Sequence, residues 1–564
     1  MPNFIEDIFA QLERADSHVV LREIHGEKFI GISGRELLEQ VQRVRMHLRR
    51  AGLQPGERCA LLAPNSARWV AFNLALLAEG VIVVPLYARQ SPVELAAMMK
   101  DCLPRFLFTS DAALGEAVAR ELPPQWSNAR RLVLFEEALK DPAAEATLEA
   151  PNPRLDNELA TIIYTSGTSG EPKGVCLNVG NVTHMLACTR ERLDLLMGAT
   201  HEPDRVFHYG PFSFAASWIT LLTCLSRESV LTLSTDLIKL ADEIRLASPH
   251  YFLNVPTLLE RVRRGVEEAL SKRAAPIRLL YAKAREAWTR NHVGRGRAGD
   301  ALWLGLGRKF IFSKIKERFG PNIRALICGS APLAPETQQF FLMLGIPVLQ
   351  AYGLTETTAI CTLDDPRVPV EPGYVGTAVN GVEIKIGENE EILVHGPNIF
   401  PGYWNRPEET ARVLQDGWFH TGDQGEVNVR GNWRIIGRIK NLIVLNSGHK
   451  ITPEPIEEKL TGLLPTAQQV VVVGNGRGFL CVLVTGPVEP AEVQAALERV
   501  NPELPHYRQI RNFTVLGEKL TPESGLLTVM GKLRRDAISA RFAAEINAMY
   551  AEALESKAAA GSGA

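Results

Sequence analysis

The sequence predicts an α/β protein with a large N-terminal body of parallel-type sheets, a small β element and a small α+β C-terminal domain. Short apolar strands joined by helices recur through most of the chain, which is typical of parallel sheets covered on both faces. Residues 382–438 instead contain short alternating strands with tight turns, which favours antiparallel pairing. The chain has 564 residues, far more than one hydrophobic core usually holds, so several domains are expected.

The N-terminal body is predicted to span residues 1–437. Short apolar runs predict its strands, which lie at residues 59–62, 81–84, 106–109, 229–232, 251–254 and 324–327. Helices are predicted between the first three strands, at 67–78 and at 92–101. Pro85 is expected to end the second strand, and Ser91 is expected to cap the second helix.

The small β element is predicted at about residues 382–437 and the C-terminal domain at residues 438–550. Within that domain a helix, two strands and a helix are predicted, at residues 454–461, 470–473, 480–484 and 491–499. Asn475-Gly476 lies between the two strands, so a hairpin turn is favoured over a dinucleotide-binding fingerprint. The low-complexity residues 551–564 predict a disordered tail.

The composition excludes several classes of protein. The formal net charge is -2, so no global basic field indicates a nucleic-acid partner. The 8 cysteines are scattered through apolar surroundings, which favours structural thiols in a reducing compartment over disulfides or zinc. The early acids of the N-terminus argue against a signal peptide, and no run approaches the ~20 apolar residues of a spanning helix. A cytoplasmic protein is therefore predicted.

The stretch YTSGTSGEPKGV at residues 164–175 is the most informative motif. It follows an apolar strand, alternates glycines with small hydroxyl residues and closes with Lys173. Such a loop can turn backbone N–H groups, hydroxyls and an ammonium toward one polyphosphate. The spacing differs from a Walker A motif, which disfavours an ordinary P-loop ATPase or kinase. A flexible surface loop is the alternative, but the preceding strand and the Pro-Lys-Gly favour phosphate binding.

Later segments also suit a nucleotide. GSAPL at 329–333 ends a buried strand with small residues, which lets a flat base approach the backbone. QAYGLTET at 350–357 combines a tyrosine for stacking, a threonine for phosphate and a glutamate for Mg²⁺. WFHTGD places Asp423 after a predicted tight turn, suited to ribose hydroxyls, and Arg438 supplies a basic partner.

In this order and at these separations, the segments resemble the adenylate-forming (ANL) superfamily of acyl-CoA synthetases, nonribosomal peptide adenylation domains and luciferases. The resemblance covers essentially the full chain. It implies ATP, Mg²⁺ and CoA, and two half-reactions. An acid attacks ATP to give an acyl-adenylate and pyrophosphate, and a pantetheine thiol then displaces AMP. It also implies a mobile C-terminal domain that rotates between the two steps.

The resemblance implies a role for individual residues. The β- and γ-phosphates would be bound by Thr165, Ser166, Gly167, Thr168, Ser169, Gly170 and Lys173. The adenine site would be lined by Gly329, Ser330, Ala331, Gln350, Ala351, Tyr352 and Gly353. Thr355 would bind the α-phosphate, Glu356 the Mg²⁺, and Asp423 and Arg438 the ribose. Lys440 would occupy the hinge between the two domains.

Lys532, in the sequence GLLTVMGKLRR, resembles the catalytic lysine of the family. The attacking carboxylate and the α-phosphate are both anions, and an ammonium between them stabilises the charge of the transition state. Thr355 and Glu356 complete the predicted catalytic set. The path of CoA is predicted along Ser447, Gly448 and His449.

Three features resemble the AMP-forming long-chain fatty acyl-CoA synthetases, so a medium- to long-chain fatty acid is the predicted substrate. They are the sequence 442–457, the GLLT before Lys532 and a long segment from 261 to 319. Phe214 stands where the family often has histidine, and an apolar ring there favours an apolar acyl chain. Trp218 is predicted to lie on the same helix face and to gate the acyl tunnel.

The 261–319 segment is basic and carries aromatic residues such as Trp288 and Trp303. Such a helix can lie on an anionic membrane, which predicts peripheral contact at the inner face of the membrane. A solvated helical hairpin over the core is the alternative.

Three other functions stay open at this point. The acyl group could pass to a carrier-protein pantetheine instead of CoA. The second step could differ, as in β-lactone formation or an oxygen-using luciferase reaction. A non-catalytic acyl or nucleotide sensor is the third, and the intact Lys173, Glu356, Asp423 and Lys532 speak against it.

Overall fold

The computed structural model describes residues 2–127, 131–140, 148–166, 172–198, 202–521, 523–527 and 531–551. The chain forms two compact units. The first unit comprises Met1–Ile384, Val394–Phe419 and Val427–Trp433, and the second comprises Lys385–Leu393, His420–Glu426 and Arg434–Ala564. The predicted α/β class is confirmed. The predicted domain limits at residues 437 and 438 stay a prediction, and beyond Ala551 the predicted tail lies outside the described residues.

One sheet of the first unit has seven strands among the described residues. Their order is Gly402–Tyr403, Pro172–Asn178, Leu159–Ser166, Ile82–Leu86, Arg58–Leu62, Phe106–Thr109 and Leu132–Leu134. The last five strands run parallel, whereas the first two pair antiparallel. The expectation that Pro85 ends its strand is wrong, because Pro85 lies within the ladder opposite Leu61. Proline removes only its own backbone donor, and the pairing continues past it from Leu62 to Leu86.

The other sheet of the first unit has nine strands among the described residues. Their order is Thr377–Ala378, Thr362–Leu363, Val348–Tyr352, Leu326–Cys328, Tyr251–Asn254, Asp204–His208, Ser229–Leu233, Val19–His25 and Lys28–Ser33. The strands from Val348–Tyr352 to Val19–His25 are parallel. Carboxyl ends of parallel strands meet at one edge, which is where such sheets bind ligands. That edge carries both predicted adenine segments.

Helices cover these sheets because their apolar residues recur on one face. The helix Gly34–Arg50 shows this pattern, since it buries Leu37, Val41, Val44 and Leu48. The longer helices of the first unit are Phe4–Ala15, Gly34–Arg50, Ala67–Ala78, Pro92–Cys102, Ala112–Arg120, Val179–Met197, Ala215–Leu225, Leu240–Ala247, Pro256–Ser271, Ala275–His292, Asp300–Gly307 and Pro335–Met343. Among the residues that the structure describes, no helix has the length and apolar character needed to cross a membrane. All eight cysteine side chains are buried.

The second unit carries the predicted α+β pattern. Its main elements are the helices Glu454–Leu463, Pro490–Val500 and Arg535–Arg541 and the strands Gln469–Val473, Leu480–Thr485 and Ile510–Leu516. Val473 pairs antiparallel with Cys481, so the predicted hairpin turn at Asn475-Gly476 is confirmed. The short strands of the β element and its surroundings are Glu383–Ile386, Glu391–His395, Leu414–Gln415, Trp418–Val427, Trp433–Arg438, Ile443–Val444 and Lys450–Ile451.

Candidate active site

The predicted phosphate loop is in large part a β-hairpin. Thr165 pairs antiparallel with Lys173, and Ser166 pairs with Pro172. The connecting Gly167, Thr168, Ser169 and Gly170 lie outside the described residues. Gly174 is required by packing, because a Cβ there would lie 2.7 Å from Cγ2 of Ile162. Strand pairing therefore holds Lys173 beside Thr165, near the end of the ladder at Ser166 and Pro172.

Lys173 contacts two residues that the sequence did not reveal. Its ammonium forms an ion pair with Glu409 and lies 5.5 Å from the centre of the Tyr403 ring. Gly402–Tyr403 pairs with the hairpin strand, and Val175 lies opposite Tyr403. The segment PGYWNRPEET at 401–410 holds both residues, but only this pairing shows that it accompanies the hairpin.

Tyr403 also holds the predicted magnesium ligand. Its hydroxyl donates a 2.8 Å hydrogen bond to Oε1 of Glu356, and the backbone N–H of Phe400 donates to the Glu356 carbonyl at 2.9 Å. Burial, followed by the neighbouring Glu356 carboxylate, raises the pKa of Tyr403 well above its ordinary value. The phenol therefore remains protonated and orients the Glu356 carboxylate.

Thr355 and Glu356 belong to a single 3₁₀ turn, Thr355–Thr357. The turn is fixed by a hydrogen bond of 2.9 Å from the backbone N–H of Leu354 to Oγ1 of Thr357. Gly353, directly before it, packs so tightly that a Cβ would lie 2.3 Å from the Ala359 carbonyl oxygen. Only glycine fits at this position, so the turn carrying Glu356 is rigidly placed.

The two predicted adenine segments lie side by side. Cys328 and Gln350 are partners in parallel strands, so 329–331 and 351–353 leave the sheet edge together. A Cβ on Gly329 would lie 3.1 Å from the Ala351 carbonyl oxygen. Ser330 is exposed, with a φ of 74°. The backbone here is close to the sheet edge and lightly covered, as a flat base requires.

Gln350 has a different surrounding from the other predicted adenine residues. It is buried, and its amide donates to Oε1 of Gln338 and to the carbonyl of Tyr374, both at 3.0 Å. These bonds occupy both amide hydrogens. Its side chain therefore holds the strand Val348–Tyr352 in place rather than facing a ligand. An adenine contact of Gln350 stays a prediction, and it would involve the backbone of this residue.

Asp423 and Arg438 contact each other in the second unit. Nε of Arg438 lies 2.9 Å from Oδ1 of Asp423, whose side chain is buried. The expectation that Asp423 follows a tight turn is wrong, since it lies inside the strand Trp418–Val427. The Oγ1 of Thr421 accepts a hydrogen bond of 3.1 Å from the Asp423 backbone N–H and fixes it further. The pair presents a carboxylate and a guanidinium together, the donors and acceptors that ribose hydroxyls use.

Lys440 and Lys532, the predicted hinge and catalytic residues, are electrostatic neighbours within the second unit. Burial lowers the pKa of Lys440, and the positive charges of Arg438 and Lys532 lower it further. The helix after Lys532 is anchored by Arg535, whose guanidinium donates to both carboxylate oxygens of Glu457, at 2.8 Å and 2.6 Å. The sequence did not distinguish Arg535 from a solvated arginine, because its partner lies far away along the chain.

The predicted acyl residues have unequal surroundings. Phe214 is half-buried at the start of the helix Ala215–Leu225, and its ring centre lies 5.5 Å from that of Tyr87. Trp218 is fully buried, and its indole N–H donates to Oδ1 of Asn73 at 3.0 Å. This position favours a packing role for Trp218, and its gating role stays a prediction.

The residues predicted for the CoA path leave the backbone uncovered at Gly448. A hydrogen bond of 2.8 Å joins Oγ of Ser447 to Nδ1 of His449, and the His449 ring stacks on Tyr507 at 4.2 Å. Gly448 has a φ of 82°, and no atom lies within 4 Å of where its Cβ would be. A ligand could approach the backbone at this point.

The site fits a magnesium ion brought in with a nucleotide. Among the described residues, no group of three or more His, Cys, Asp or Glu side chains could hold a metal alone. Mg²⁺ is usually held by one or two carboxylates together with substrate phosphates and water. Glu356, oriented by Tyr403 and preceded by Thr355, supplies such a carboxylate.

Comparison with known proteins identifies the family. Residues 9–404 match the AMP-binding enzyme family, and residues 440–554 match the AMP-binding enzyme C-terminal domain. The chain belongs to the AMP-binding enzyme family. The predicted resemblance to adenylate-forming enzymes is thereby confirmed, and so are the predicted ligands ATP, Mg²⁺ and CoA at the level of this family.

Three relatives illustrate the similarity. The chain is 26% identical to "Long-chain-fatty-acid--CoA ligase FadD15" of Mycobacterium bovis, over 95% of each chain. It is 29% identical to "Long chain acyl-CoA synthetase 1" of Arabidopsis thaliana, over 89% of this chain and 80% of that one. The structure of O-succinylbenzoate coenzyme A synthetase from Bacillus subtilis with ATP and magnesium superposes with a TM-score of 0.72 at 21% identity, over 95% and 99% of the two chains.

The protein is therefore an ATP-dependent enzyme of the AMP-forming acid–CoA ligase family, which activates a carboxylate as its adenylate. The relatives differ in the acid for which they are named: the superposed enzyme is named for O-succinylbenzoate and the two sequence relatives for long-chain acids.

Proposed function

We propose that the protein converts a medium- to long-chain fatty acid to its acyl-CoA through an acyl-adenylate, with release of AMP and pyrophosphate. The observation that carries the choice of acid is Phe214, an apolar ring packed on Tyr87 where related enzymes often have histidine. An apolar lining favours an alkyl chain and disfavours a polar acid, because a polar group there would lose its hydrogen bonds to water. The names of the sequence relatives agree with this choice.

Each residue then has a distinct role. Lys173 and the hairpin bind the β- and γ-phosphates, and Thr355 binds the α-phosphate. Glu356, oriented by Tyr403, holds Mg²⁺, which neutralises phosphate charge when bound. Asp423 and Arg438 bind the ribose. Lys532 stabilises charge as the carboxylate attacks the α-phosphate, and no general base is needed because a carboxylic acid is ionised at neutral pH.

The test is pyrophosphate release with straight-chain acids of increasing length, from acetate to stearate, each with and without CoA. We expect release to rise with chain length and acyl-CoA to form only when CoA is present. Absence of release with every straight-chain acid would exclude a fatty-acid substrate and contradict the proposal. Release without acyl-CoA formation would indicate a carrier-protein acceptor or another second step.

A substitution at Phe214 tests the preference for a long-chain acid separately from the adenylation reaction. Phe214→His is expected to lower kcat/KM for long acids about tenfold more than for short ones, since it places a polar ring beside the alkyl chain. Phe29→His is the matched control, because Phe29 is an exposed residue of the strand Lys28–Ser33. Equal losses across all chain lengths would contradict an acyl role for Phe214.

A further inference from the structure

Glu409 lies between two cations. One carboxylate oxygen pairs with the ammonium of Lys173, and the other lies 3.8 Å from Nε of Arg406. Arg406 is itself 3.0 Å from a carboxylate oxygen of Asp101. The exposed fractions of the Lys173, Glu409 and Arg406 side chains are 23%, 29% and 31%, so solvent screens these charges only in part. The predicted phosphate ligand thus already has an anionic partner within the protein.

A bound polyphosphate would compete with this partner. A lysine ammonium carries one charge, and a carboxylate held beside it both neutralises that charge and repels a second anion. When Lys173 turns toward phosphate, Arg406 still faces both Glu409 and Asp101, and Asp101 also accepts a 2.7 Å hydrogen bond from the Tyr164 hydroxyl, so neither carboxylate is left without a partner. Tyr403 stays next to the Lys173 strand, because its own strand is paired with the hairpin.

The geometry points to Glu409 as a positioning residue that recaptures Lys173 and thereby weakens the binding of pyrophosphate, the first product to leave. In this role Glu409 promotes the release of pyrophosphate by acting on Lys173 alone. It rests on the proposed function, in which Lys173 binds the β- and γ-phosphates. Glu409 touches neither substrate nor metal in this role.

The test is direct binding of inorganic pyrophosphate, and separately of Mg·ATP, by calorimetry of the full chain without acid or CoA. Glu409→Gln removes the competing charge and is expected to tighten pyrophosphate binding about three- to tenfold. The gain is expected to shrink as salt is raised, because its origin is electrostatic. The same variant is expected to show a lower inhibition constant for pyrophosphate during turnover.

Glu408→Gln is the matched control. Glu408 precedes Glu409 in the first turn of the helix Pro407–Val413, and its side chain is 88% exposed and faces Arg412 at 3.9 Å. Both changes remove one negative charge from the same helix N-terminus, so their effects on helix stability are similar. We expect pyrophosphate binding to this control to stay within about twofold of the unmodified protein.

The possible outcomes separate the two proposals. If the unmodified protein binds neither ATP nor pyrophosphate, the proposed function fails. If it binds both, and Glu409→Gln binds pyrophosphate equally or more weakly, only the role of Glu409 is overturned. If the role of Glu409 is purely structural, Glu409→Gln would lower the Tm without tightening the binding of pyrophosphate. If Glu409→Gln does not fold, Glu409→Asp withdraws the carboxylate by one methylene, and unchanged binding in that variant equally overturns the inference.

Discussion

The hydroxyl of Tyr403 and Oε1 of Glu356 are joined by a 2.8 Å hydrogen bond between residues 47 positions apart in the chain. The same tyrosine places its ring 5.5 Å from the Lys173 ammonium. One side chain thus contacts both the predicted magnesium ligand and the predicted phosphate ligand. This arrangement leads to the first prediction.

Tyr403→Phe is expected to lower kcat/KM for Mg·ATP about ten- to hundredfold. A hydrogen bond to a charged group contributes about 1.5–3 kcal/mol, and without it the Glu356 carboxylate is no longer oriented. The measurement is acid-dependent pyrophosphate release over a magnesium titration, in which the half-saturating Mg²⁺ concentration is expected to rise. Tyr281→Phe removes a hydroxyl from the helix Ala275–His292 and serves as control. Equal magnesium dependence in both variants would contradict the role of Tyr403.

Lys532→Ala is expected to slow acyl-adenylate formation at least about hundredfold and to leave Mg·ATP binding nearly unchanged. The loss falls on the transition state, because the ammonium acts where charge accumulates between carboxylate and α-phosphate. Single-turnover pyrophosphate release and calorimetry with ATP measure the two effects. Lys519→Ala, an exposed lysine of the same unit, is the control. If Lys532→Ala kept a normal rate of release, another residue would have to assist the attack.

Asp364 makes stability depend on pH near neutrality. Burial raises its pKa to about 7, and it accepts a 2.7 Å hydrogen bond from the Gln350 backbone N–H. Since the ordinary value is 3.8, the folded protein binds this proton more tightly than the unfolded chain does between those two pH values. The resulting stabilisation is present at low pH and is lost as the pH rises through about 7.

Asp364→Asn keeps an acceptor for Gln350 and removes the ionisation. We expect its free energy of unfolding to exceed that of the unmodified protein by about 1–4 kcal/mol above neutral pH, with a smaller difference at pH 5. Denaturant unfolding across pH measures this. Asp365→Asn is the control, and its effect on the free energy of unfolding is expected to have the opposite sign. The reason is that a hydrogen bond from Arg367 lowers the pKa of Asp365 to about 2. A difference for Asp364→Asn that does not vary with pH would contradict the prediction.

The segment 261–319 stays a predicted membrane contact. It contains sixteen Lys or Arg and five Asp or Glu residues, whereas the whole chain has a formal net charge of -2. Leu279, Leu302 and Phe310 within it are 56%, 64% and 50% exposed. Basic charge beside exposed apolar side chains favours an anionic bilayer surface over plain solvation.

Vesicle flotation tests this contact. The protein is expected to bind vesicles containing phosphatidylserine, to ignore neutral phosphatidylcholine vesicles and to dissociate as salt is raised. Replacing Leu302 and Phe310 with serine is expected to weaken binding severalfold, since about 0.8 kcal/mol is lost per buried methylene. Replacing the exposed Val427 and Val429 with serine is the control. Binding that is insensitive to lipid charge would support the solvated hairpin.

Local sequence was sufficient for the elements whose signal lies within a few residues. The helix Ala67–Ala78 and the strands Phe106–Thr109 and Tyr251–Asn254 have the limits that were predicted. Apolar runs and capping residues act over one or two turns of chain, so they can be read without partners. The prediction failed at Pro85 and Asp423, where pairing with neighbouring strands overrode the local turn signal.

The sequence by itself determined the family and with it the class of chemistry, carboxylate adenylation. It predicted a phosphate-binding glycine and hydroxyl motif, a glutamate for Mg²⁺ and a lysine for the adenylation step. The tertiary structure decided which groups hold these residues. Tyr403 on Glu356, Glu409 on Lys173 and Arg535 on Glu457 are contacts between segments far apart in the chain. Such contacts depend on strand register and packing, which join distant segments to within a few ångströms, and no local pattern encodes that distance.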